Sequence, residues 1–579
     1  MTFTSHLLLR GGTVVDGTGA APFEADVEVI DGRIARIGQV TGDYCGEVID
    51  ARGKLVMPGF VDVHTHYDGQ VTWAERLLPS SSHGVTTAII GNCGVGFAPC
   101  RPADREVLVH LMEGVEDVPE IVFTQGLPWA WETFPQYLDF LAVRRFDMDI
   151  GAYLPHAALR VYAMGERGAR REPATPADRQ YMRALAAEAV HAGAFGFSTS
   201  RTINHRSSDG SNTPMYQAAT QELVDIACGL RDAGAGLLQV VAGFTQPVED
   251  VGVLRAMAAA SGRPLSVSLA QNHEHLEDWR TILGLLERSV AEEGLQLSAQ
   301  VCGRAVGMLL GLDMALHPFS FHAAYRAIAD LPLPERVRRL REPAMRERLL
   351  SERPEAGGAR DPRALMRAVD LEGIYELGDP PDYEPDPARS IAARARATCQ
   401  SPQALAYELL LRDEGRFVFM RPLHNYGFGS LDVCGEMLRH PLTVPGLGDG
   451  GAHCGYICDA SLPTFMLTHW ARDRARGALL PLPQIVKALT HDCAALMGLH
   501  DRGLVAPGRK ADLNVIDFDR LRLHPPRVTY DLPGGGRRLV QDASGYVATL
   551  VSGQVTRRHD EATDALPGRL VRAKARQEC

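Results

Sequence analysis

The stretch that decides the fold of this chain is Pro58-Gly59-Phe60-Val61-Asp62-Val63-His64-Thr65-His66-Tyr67-Asp68. Phe60, Val61 and Val63 form a short apolar run, which is typical of a strand buried on both faces. Because residues two apart in a strand point to the same face, His64 and His66 can bind one metal ion together. The stretch therefore predicts a metal site at the end of a buried strand.

Both ends of the chain have the pattern of short strands separated by tight turns. Asp16-Gly17 and Asp31-Gly32 are strong turn signals between strand-like runs near the start. A segment this short buries little surface alone, and residues 511–517 and 546–551 have the same character. We predict that residues 1–57 and 499–579 combine into one small β-sandwich domain.

The middle of the chain, residues 58–498, alternates strands with helices. One helix begins at Thr175-Pro176-Ala177-Asp178, with Thr175 as its N-cap, and ends at Gly193. The next strand follows at once, and the same order recurs until about eight strand candidates have passed. This alternation predicts an α/β fold, a (β/α)8 TIM barrel with its chemistry at the carboxyl ends of the strands.

One long insertion late in the barrel interrupts the alternation, from about residue 304 to 430. Residues 332–353 are rich in arginine and glutamate and predict helix, whereas residues 378–387 are rich in proline and aspartate and predict a loop. Such an insertion is a lid, a subunit contact or a solvated decoration. Its role stays open, and a homo-oligomer stays open with it.

The composition excludes several classes of partner. Hydrophobic residues make up 45% of the chain and charged residues 23%, as in ordinary globular proteins. The formal net charge of −11 argues against binding to nucleic acid or to an anionic membrane. No apolar run reaches the roughly 20 residues that a membrane helix needs, so we expect neither kind of partner.

The cysteines and the first residues predict a cytoplasmic protein. The 11 cysteines are odd in number and lack paired spacing, which fits a reducing compartment better than a disulfide framework. The start, Met1-Thr2-Phe3-Thr4-Ser5-His6, has no basic segment before an apolar core. We therefore expect no secretory signal.

Two further segments follow strand candidates and carry possible metal ligands. Gly91-Asn92-Cys93-Gly94 follows the second strand, and Gly448-Asp449-Gly450-Gly451-Ala452-His453 follows the last one. With the two histidines of the first strand, these segments resemble the amidohydrolase superfamily, and within it the D-aminoacylase (N-acyl-D-amino-acid deacylase) branch. Gly448 stands where that family has serine.

The resemblance implies the ligands and the chemistry of the site. His64, His66, Cys93 and Asp449 would bind zinc, and a cysteine in this branch replaces the carboxylated lysine that bridges two metals in many relatives. The zinc would lower the pKa of a water molecule, Asp449 would accept its proton, and the hydroxide would attack an amide carbonyl. The implied substrate is a small molecule, an N-acylated amino acid, with the D configuration as one option.

The lysine content agrees with a cysteine in the bridging place. The chain has four lysines, which are Lys54, Lys487, Lys510 and Lys574. Because none lies between Lys54 and Lys487, no lysine can bridge metals inside the barrel, and Cys93 is the best-placed alternative. Two other functions stay open: a different amidohydrolase reaction, such as cyclic-amide opening or deamination, and a non-catalytic barrel.

The chain departs from the family at strands five and six, where the relatives supply one histidine each. Gln239 and Gln271 occupy roughly those places, and a neutral carboxamide binds zinc far less well than an imidazole. We therefore expect one firmly bound zinc on the side of His64 and His66, with Cys93 as its ligand. A second zinc stays open, with His205 or His273 as replacement ligands.

Four residues are weaker candidates for contacts with the substrate. His156 and Arg160 follow the third strand, where they are suited to binding a carboxylate. His205 lies after the fourth strand, and His424 lies in the insertion and fits a lid.

Overall fold

Eight parallel strands close around the middle of the chain in this computed structural model, which describes residues 6–42, 44–355 and 362–573. In chain order the eight barrel strands are Phe60–Asp62, Val85–Ile90, Asp149–Ala152, Gly196–Ser200, Leu237–Val241, Leu265–Leu269, Leu297–Val301 and Thr443–Pro445. Neighbouring strands pair in parallel. Between the third and fourth barrel strands, the parallel pairing with the fourth is made by the short strand Leu154–Pro155, which follows the third. A parallel bridge between Thr65 and Gly450 joins the two ends, so the predicted (β/α)8 barrel is confirmed. The first five residues, on which the expectation of no secretory signal rests, lie outside the described residues.

Helices follow the strands and cover the outside of the barrel. In chain order they are Gln70–Trp73, Arg105–Glu116, Glu120–Gly126, Phe134–Ala142, His156–Met164, Glu166–Ala169, Pro176–His191, Thr220–Asp232, Pro247–Ser261, Asp278–Glu293, Asp432–Arg439, Leu462–Phe465, Leu482–Lys487 and Cys493–Leu496, with π-helical turns at Met466–Asp473 and Ala488–Asp492. The helix Pro176–His191 begins as predicted: Thr175 and Asp178 form a reciprocal capping box. Met182 and Ala186 on one face of this helix are buried.

Both ends of the chain contribute strands to one nine-stranded sheet beside the barrel. The order across the sheet is Glu561–Ala562, Gln554–Arg558, Tyr546–Val551, Leu513–Ile516, Leu55–Pro58, His6–Val14, Phe23–Ile30 and Arg33–Gly38, with Glu47–Asp50 paired to His6–Val14. Leu9, Val29, Val515 and Leu550 belong to its separate hydrophobic core. The prediction that both termini form one β domain is confirmed, whereas its boundaries at residues 57 and 499 stay a prediction.

Two short ribbons of the C-terminal segment lie outside this sheet. They pair Arg522–Leu523 with Ala543–Ser544 and Arg527–Leu532 with Gly536–Val540. Among the described residues no helix is long and apolar enough to cross a membrane.

The insertion between the seventh and eighth barrel strands has a hydrophobic core of its own. Its antiparallel sheet consists of Val306–Leu310, Phe419–His424 and Tyr375–Glu376, and its helices are Ala323–Arg326, Leu333–Leu340, Pro343–Ser351, Pro362–Val369, Ile391–Ala397 and Pro402–Leu410. Leu310, Phe319, Leu340 and Tyr407 pack in that core. The helices predicted over residues 332–353 are present, and residues 378–386 form a loop.

A buried ion-pair network fastens the β domain to the barrel at the start of the third barrel strand. Oδ2 of Asp149 lies 2.7 Å from Nη1 of Arg502 and 2.9 Å from Nζ of Lys510. Arg502 also donates to Oγ1 of Thr87, and Lys510 lies 2.6 Å from Asp512. Burial favours the protonated form of Asp149, but the charges of Lys510 and Arg502 outweigh it and lower its pKa. Because Asp149 is the first residue of the third barrel strand, the network lies at the amino-terminal end of the barrel, where residues usually serve stability.

We predict that Asp149→Ala destabilises the protein by about 3–5 kcal/mol, because removing one partner of a buried pair leaves uncompensated buried charge. The measurement is the free energy of unfolding in urea, followed by tryptophan fluorescence. Asp50→Ala is the matched control, because Asp50 and its partner Arg52 are 59% and 76% exposed and such pairs contribute little. Equal unfolding curves for the two variants would contradict the prediction.

Candidate metal centre

Three potential metal ligands converge at the carboxyl ends of the first two barrel strands. One donor atom from each of His64, His66 and Cys93 lies within 4.8 Å of the other two. Nε2 of His64 lies 3.2 Å from Sγ of Cys93, and that sulfur lies 3.7 Å from Nε2 of His66. All three side chains are buried. The structure thus brings together the two histidines that strand spacing placed on one face and the cysteine that the family resemblance implied.

Asp449 adds a fourth donor from the end of the eighth strand. Its Oδ1 lies 3.5 Å from Nε2 of His64 and 3.8 Å from Nε2 of His66, and this buried oxygen has no hydrogen-bond partner among the described residues. A tetrahedral zinc with bonds of about 2.0–2.3 Å holds its donors roughly 3.3–3.6 Å apart. The donor atoms of His64, His66 and Cys93 therefore fit a zinc ion, and Asp449 adds a carboxylate on the side of the two imidazoles.

A constrained turn presents Cys93 to the two histidines. The side chain of Asn92 donates hydrogen bonds to the carbonyl oxygens of Ile89 and Thr65, at 2.8 and 3.2 Å. The backbone N–H of Cys93 donates to Oε1 of Gln239 at 3.0 Å. Cys93 itself has a φ of 57°, which is uncommon for a residue other than glycine and occurs mainly where the surroundings enforce it.

Backbone hydrogen bonds tie the loop of Asp449 to the first strand. The N–H of Asp449 donates to the carbonyl of His64 at 3.1 Å, and the N–H of His66 donates to the carbonyl of Gly450 at 2.7 Å. The loop thereby places the carboxylate of Asp449 against the imidazoles. Like Cys93, Asp449 has a positive φ, of 47°.

The departure at Gly448 has a steric reason. A Cβ atom at this position would lie 2.5 Å from Oδ2 of Asp62. Asp62 is buried, and its Oδ1 accepts a hydrogen bond from the N–H of His64. Serine at this place does not fit unless Asp62 moves.

Each histidine has a polar partner at its second ring nitrogen. Nδ1 of His64 lies 2.7 Å from Oε1 of Gln300, and Nδ1 of His66 lies 3.2 Å from Oε1 of Glu116. A proton on Nδ1 leaves the lone pair of Nε2 free for a metal. Sequence reasoning missed both partners, because Gln300 lies within a strand and Glu116 is the last residue of a helix. The signal that could have found them is that each is a polar residue at a position that faces the core.

Burial keeps both imidazoles neutral. It lowers the pKa of His64 to about 4 and holds the pKa of His66 well below its usual value. Neutral imidazole is the form that binds metals, so these two ligands are ready near neutral pH.

The pKa values of the Cys93 thiol and the Asp449 carboxyl group shift in the opposite direction. Burial, strengthened by neighbouring carboxylates, raises the pKa of Cys93 and of Asp449 well above their usual values. No arginine or lysine within the described ranges forms an ion pair with Asp449. The donor set therefore lacks the positive charge that a divalent cation would supply.

The two glutamines of strands five and six form hydrogen bonds with the backbone. Oε1 of Gln239 is occupied by the backbone of Cys93. Gln271 accepts a hydrogen bond from the N–H of Gly427 and donates one to the carbonyl of Leu276, so it holds a loop in place.

The structure does not bring His156 and Arg160 into the cluster. Both are buried, and Oε1 of Glu222 lies 3.0 Å from Nε2 of His156 and 2.9 Å from Nε of Arg160. These contacts give the pair a place in barrel packing, and a role in substrate binding stays a prediction.

The other two weak candidates are His205 and His424. His205 hydrogen-bonds Oγ of Ser200 at 2.9 Å; burial, with the charges of His453 and His64, lowers its pKa to about 3, which places it near the site. The ring of His424 lies 6.5 Å from that of His273. As substrate contacts, His205 and His424 also stay predictions.

Two small cavities adjoin the donors. The one beside His66 is lined mainly by apolar side chains, among them Trp73, Met112, Val122 and Phe123. The other lies beside Asp449, and its lining includes polar groups. Their volumes are about 10 Å³ and about 20 Å³, so each has room for about one water molecule.

Comparison with known proteins gives matches over almost the whole chain. The sequence model of the amidohydrolase family matches residues 47–557. A solved structure of D-aminoacylase superposes with a TM-score of 0.64 at 22% identity, covering 98% of this chain and 99% of that one. That likeness concerns the fold.

Two curated relatives match a part of the sequence. The N-acyl-D-aspartate deacylase of Alcaligenes xylosoxydans xylosoxydans is 34% identical over 234 residues, which is 40% of this chain and 42% of the relative. The D-aminoacylase of the same organism is 29% identical over 303 residues, 51% of this chain and 56% of the relative. The matches span about half the length of these relatives.

We predict that His64→Ala and His66→Ala each abolish zinc binding, because each removes one of four converging donors. Zinc retained after gel filtration, measured by atomic emission, gives the result. His500→Ala, at an exposed position, is the matched control and should keep the metal content of the parent. Full zinc occupancy in either cluster variant would show that the ligands are different ones.

Proposed function

The chain belongs to the amidohydrolase family, and from this premise we propose that it is a zinc-dependent hydrolase of a linear amide bond. Its proposed substrate is an N-acyl-amino acid, with the D configuration as the first choice. The observation that carries the proposal is the convergence of His64, His66, Cys93 and Asp449 at the carboxyl ends of barrel strands, the usual place for catalysis in this fold. The names of the two curated relatives support the substrate class.

One zinc ion is proposed for the four donors. The thiolate and imidazoles suit zinc better than magnesium or calcium, which prefer oxygen ligands. When bound, zinc polarises a carbonyl group and makes a water molecule acidic enough to act near neutral pH. The hydrogen bonds of Gln239 and Gln271 support a single ion, since both glutamines are engaged with the backbone.

Asp449 is proposed as the group that moves the proton. Its Oδ1 is buried, lacks a hydrogen-bond partner among the described residues and faces both imidazoles. The carboxylate accepts a proton from the attacking water and then passes it to the amide nitrogen, so that the amine leaves in a neutral form. Burial, together with Asp459 and Asp62, raises the pKa of Asp449, which makes its carboxylate a stronger base for the first proton transfer.

The cytoplasm is proposed as the location. All ten cysteines of the described ranges are free thiols, which supports a reducing compartment. A homo-oligomer assembled through the insertion stays a prediction.

The proposal is tested with zinc-loaded protein and a panel of N-acetyl-D-amino acids, their L enantiomers, cyclic ureides and aminopurines. The release of amine, the opening of a ring and the release of ammonia are measured separately. We expect amine release from N-acetyl-amino acids, with the D series faster. Ring opening or ammonia release alone would replace the proposed reaction by another of the family. Inertness towards the whole panel, with no zinc bound, would support a non-catalytic barrel.

On the best substrate of that panel, Asp449→Asn is expected to lower kcat by about 10²–10⁴-fold, because the amide cannot take the proton. Asp564→Asn, at an exposed position, is the matched control and should leave kcat unchanged. A value of kcat for Asp449→Asn within threefold of the parent would rule out the proton-transfer role.

A further inference from the structure

Glu116 is a buried carboxylate in a place that disfavours its charge. It is the last residue of the helix Arg105–Glu116, where the helix dipole repels an anion, and its side chain is 1% exposed. Burial, with Asp449 and Asp68 nearby, raises its pKa well above the usual value. Within the described residues neither carboxylate oxygen accepts a hydrogen bond, and Nδ1 of His66 also has no hydrogen-bond partner there. A role in packing alone would be served better by an apolar side chain.

The two oxygens of Glu116 face two imidazoles. Oε1 lies 3.2 Å from Nδ1 of His66, and Oε2 lies 4.0 Å from Nε2 of His453. His66 belongs to the proposed metal cluster, and His453 lies in the loop that carries Asp449. The carboxylate thus stands between the first strand and the loop after the eighth strand.

The residue after Glu116 fastens the same loop. Oδ2 of Asp117 accepts a hydrogen bond from the N–H of Gly455 at 3.0 Å. A Cβ at Gly455 would lie 2.3 Å from that oxygen, so the close approach requires glycine. His453 has a φ of 50°, which shows that the loop is held in a constrained shape. The end of this helix is therefore a docking point for residues 453–455.

From this geometry we propose that Glu116 is a positioning residue of the metal centre, whose carboxylate faces Nδ1 of His66 and takes its proton in a hydrogen bond when the metal is bound. This contact fixes the tautomer of His66 with the lone pair of Nε2 directed at the metal. The contact with His453 is longer than a hydrogen bond, and the loop that carries Asp449 is held by the neighbouring Asp117. This inference rests on the proposed zinc site.

The two metal-binding histidines then differ in the chemistry of their partners. His64 has the neutral carboxamide of Gln300 at Nδ1, whereas His66 has a carboxylate. A carboxylate partner makes an imidazole ligand more basic, and its removal typically costs 10- to 100-fold in metal affinity. Glu116→Gln therefore gives His66 the same type of partner as His64 and removes only the charge.

The test is the zinc affinity of metal-free protein, measured by competition with a chromophoric chelator. We expect Glu116→Gln to raise the dissociation constant about 10- to 100-fold and to alter the visible absorption of the cobalt-loaded protein. The melting temperature of the metal-free variant should not fall, because a neutral isostere replaces a carboxyl group whose charged form burial disfavours. Glu106→Gln, at an exposed position of the same helix, is the matched control and should match the parent.

Two outcomes would overturn the inference. A zinc affinity of Glu116→Gln within twofold of the parent, while His64→Ala loses the metal, would leave the zinc site intact and show that Glu116 is not coupled to it. Weaker zinc binding that comes only with a lower melting temperature of the metal-free protein would assign Glu116 to packing. If the parent itself binds no zinc, the proposed function fails first, and the inference with it.

Discussion

The arrangement of this site depends on one electrostatic constraint, which is the burial of several acidic groups that form no ion pair with an arginine or lysine in the described part of the chain. Cys93, Asp449, Glu116 and Asp68 each have a raised pKa, with burial as the largest cause. Carboxylates buried in this way are usually paired with a cation or bound to a metal. Asp149, at the other end of the barrel, shows the alternative, because Arg502 and Lys510 neutralise it directly.

Local backbone preferences are also overridden in this region. Cys93, Asp449 and His453 all have positive φ values, although none of them is glycine. Such conformations persist where the surrounding structure enforces them, and they occur often at functional sites. Here the hydrogen bonds of Asn92 and of the loop after the eighth strand supply that enforcement.

Much of the fold and the core of the site followed from local signals in the sequence. The apolar run before His64 marked a buried strand, the capping box of Thr175 marked a helix start, and strand-like runs at both termini marked the β domain. What sequence reasoning could not find was the set of partners that tertiary packing supplies. Glu116 and Gln300 lie 50 and 236 residues from the histidines that they contact, and no local pattern records such distances.

The most direct measurement of the central claim is zinc-edge X-ray absorption on the protein purified without chelator, combined with a zinc count per chain. The account predicts one zinc per chain with one sulfur at about 2.3 Å, from Cys93, and nitrogen or oxygen ligands at about 2.0–2.1 Å, from His64, His66 and Asp449. A ligand shell without sulfur, or two zinc ions per chain with a metal–metal distance, would contradict it.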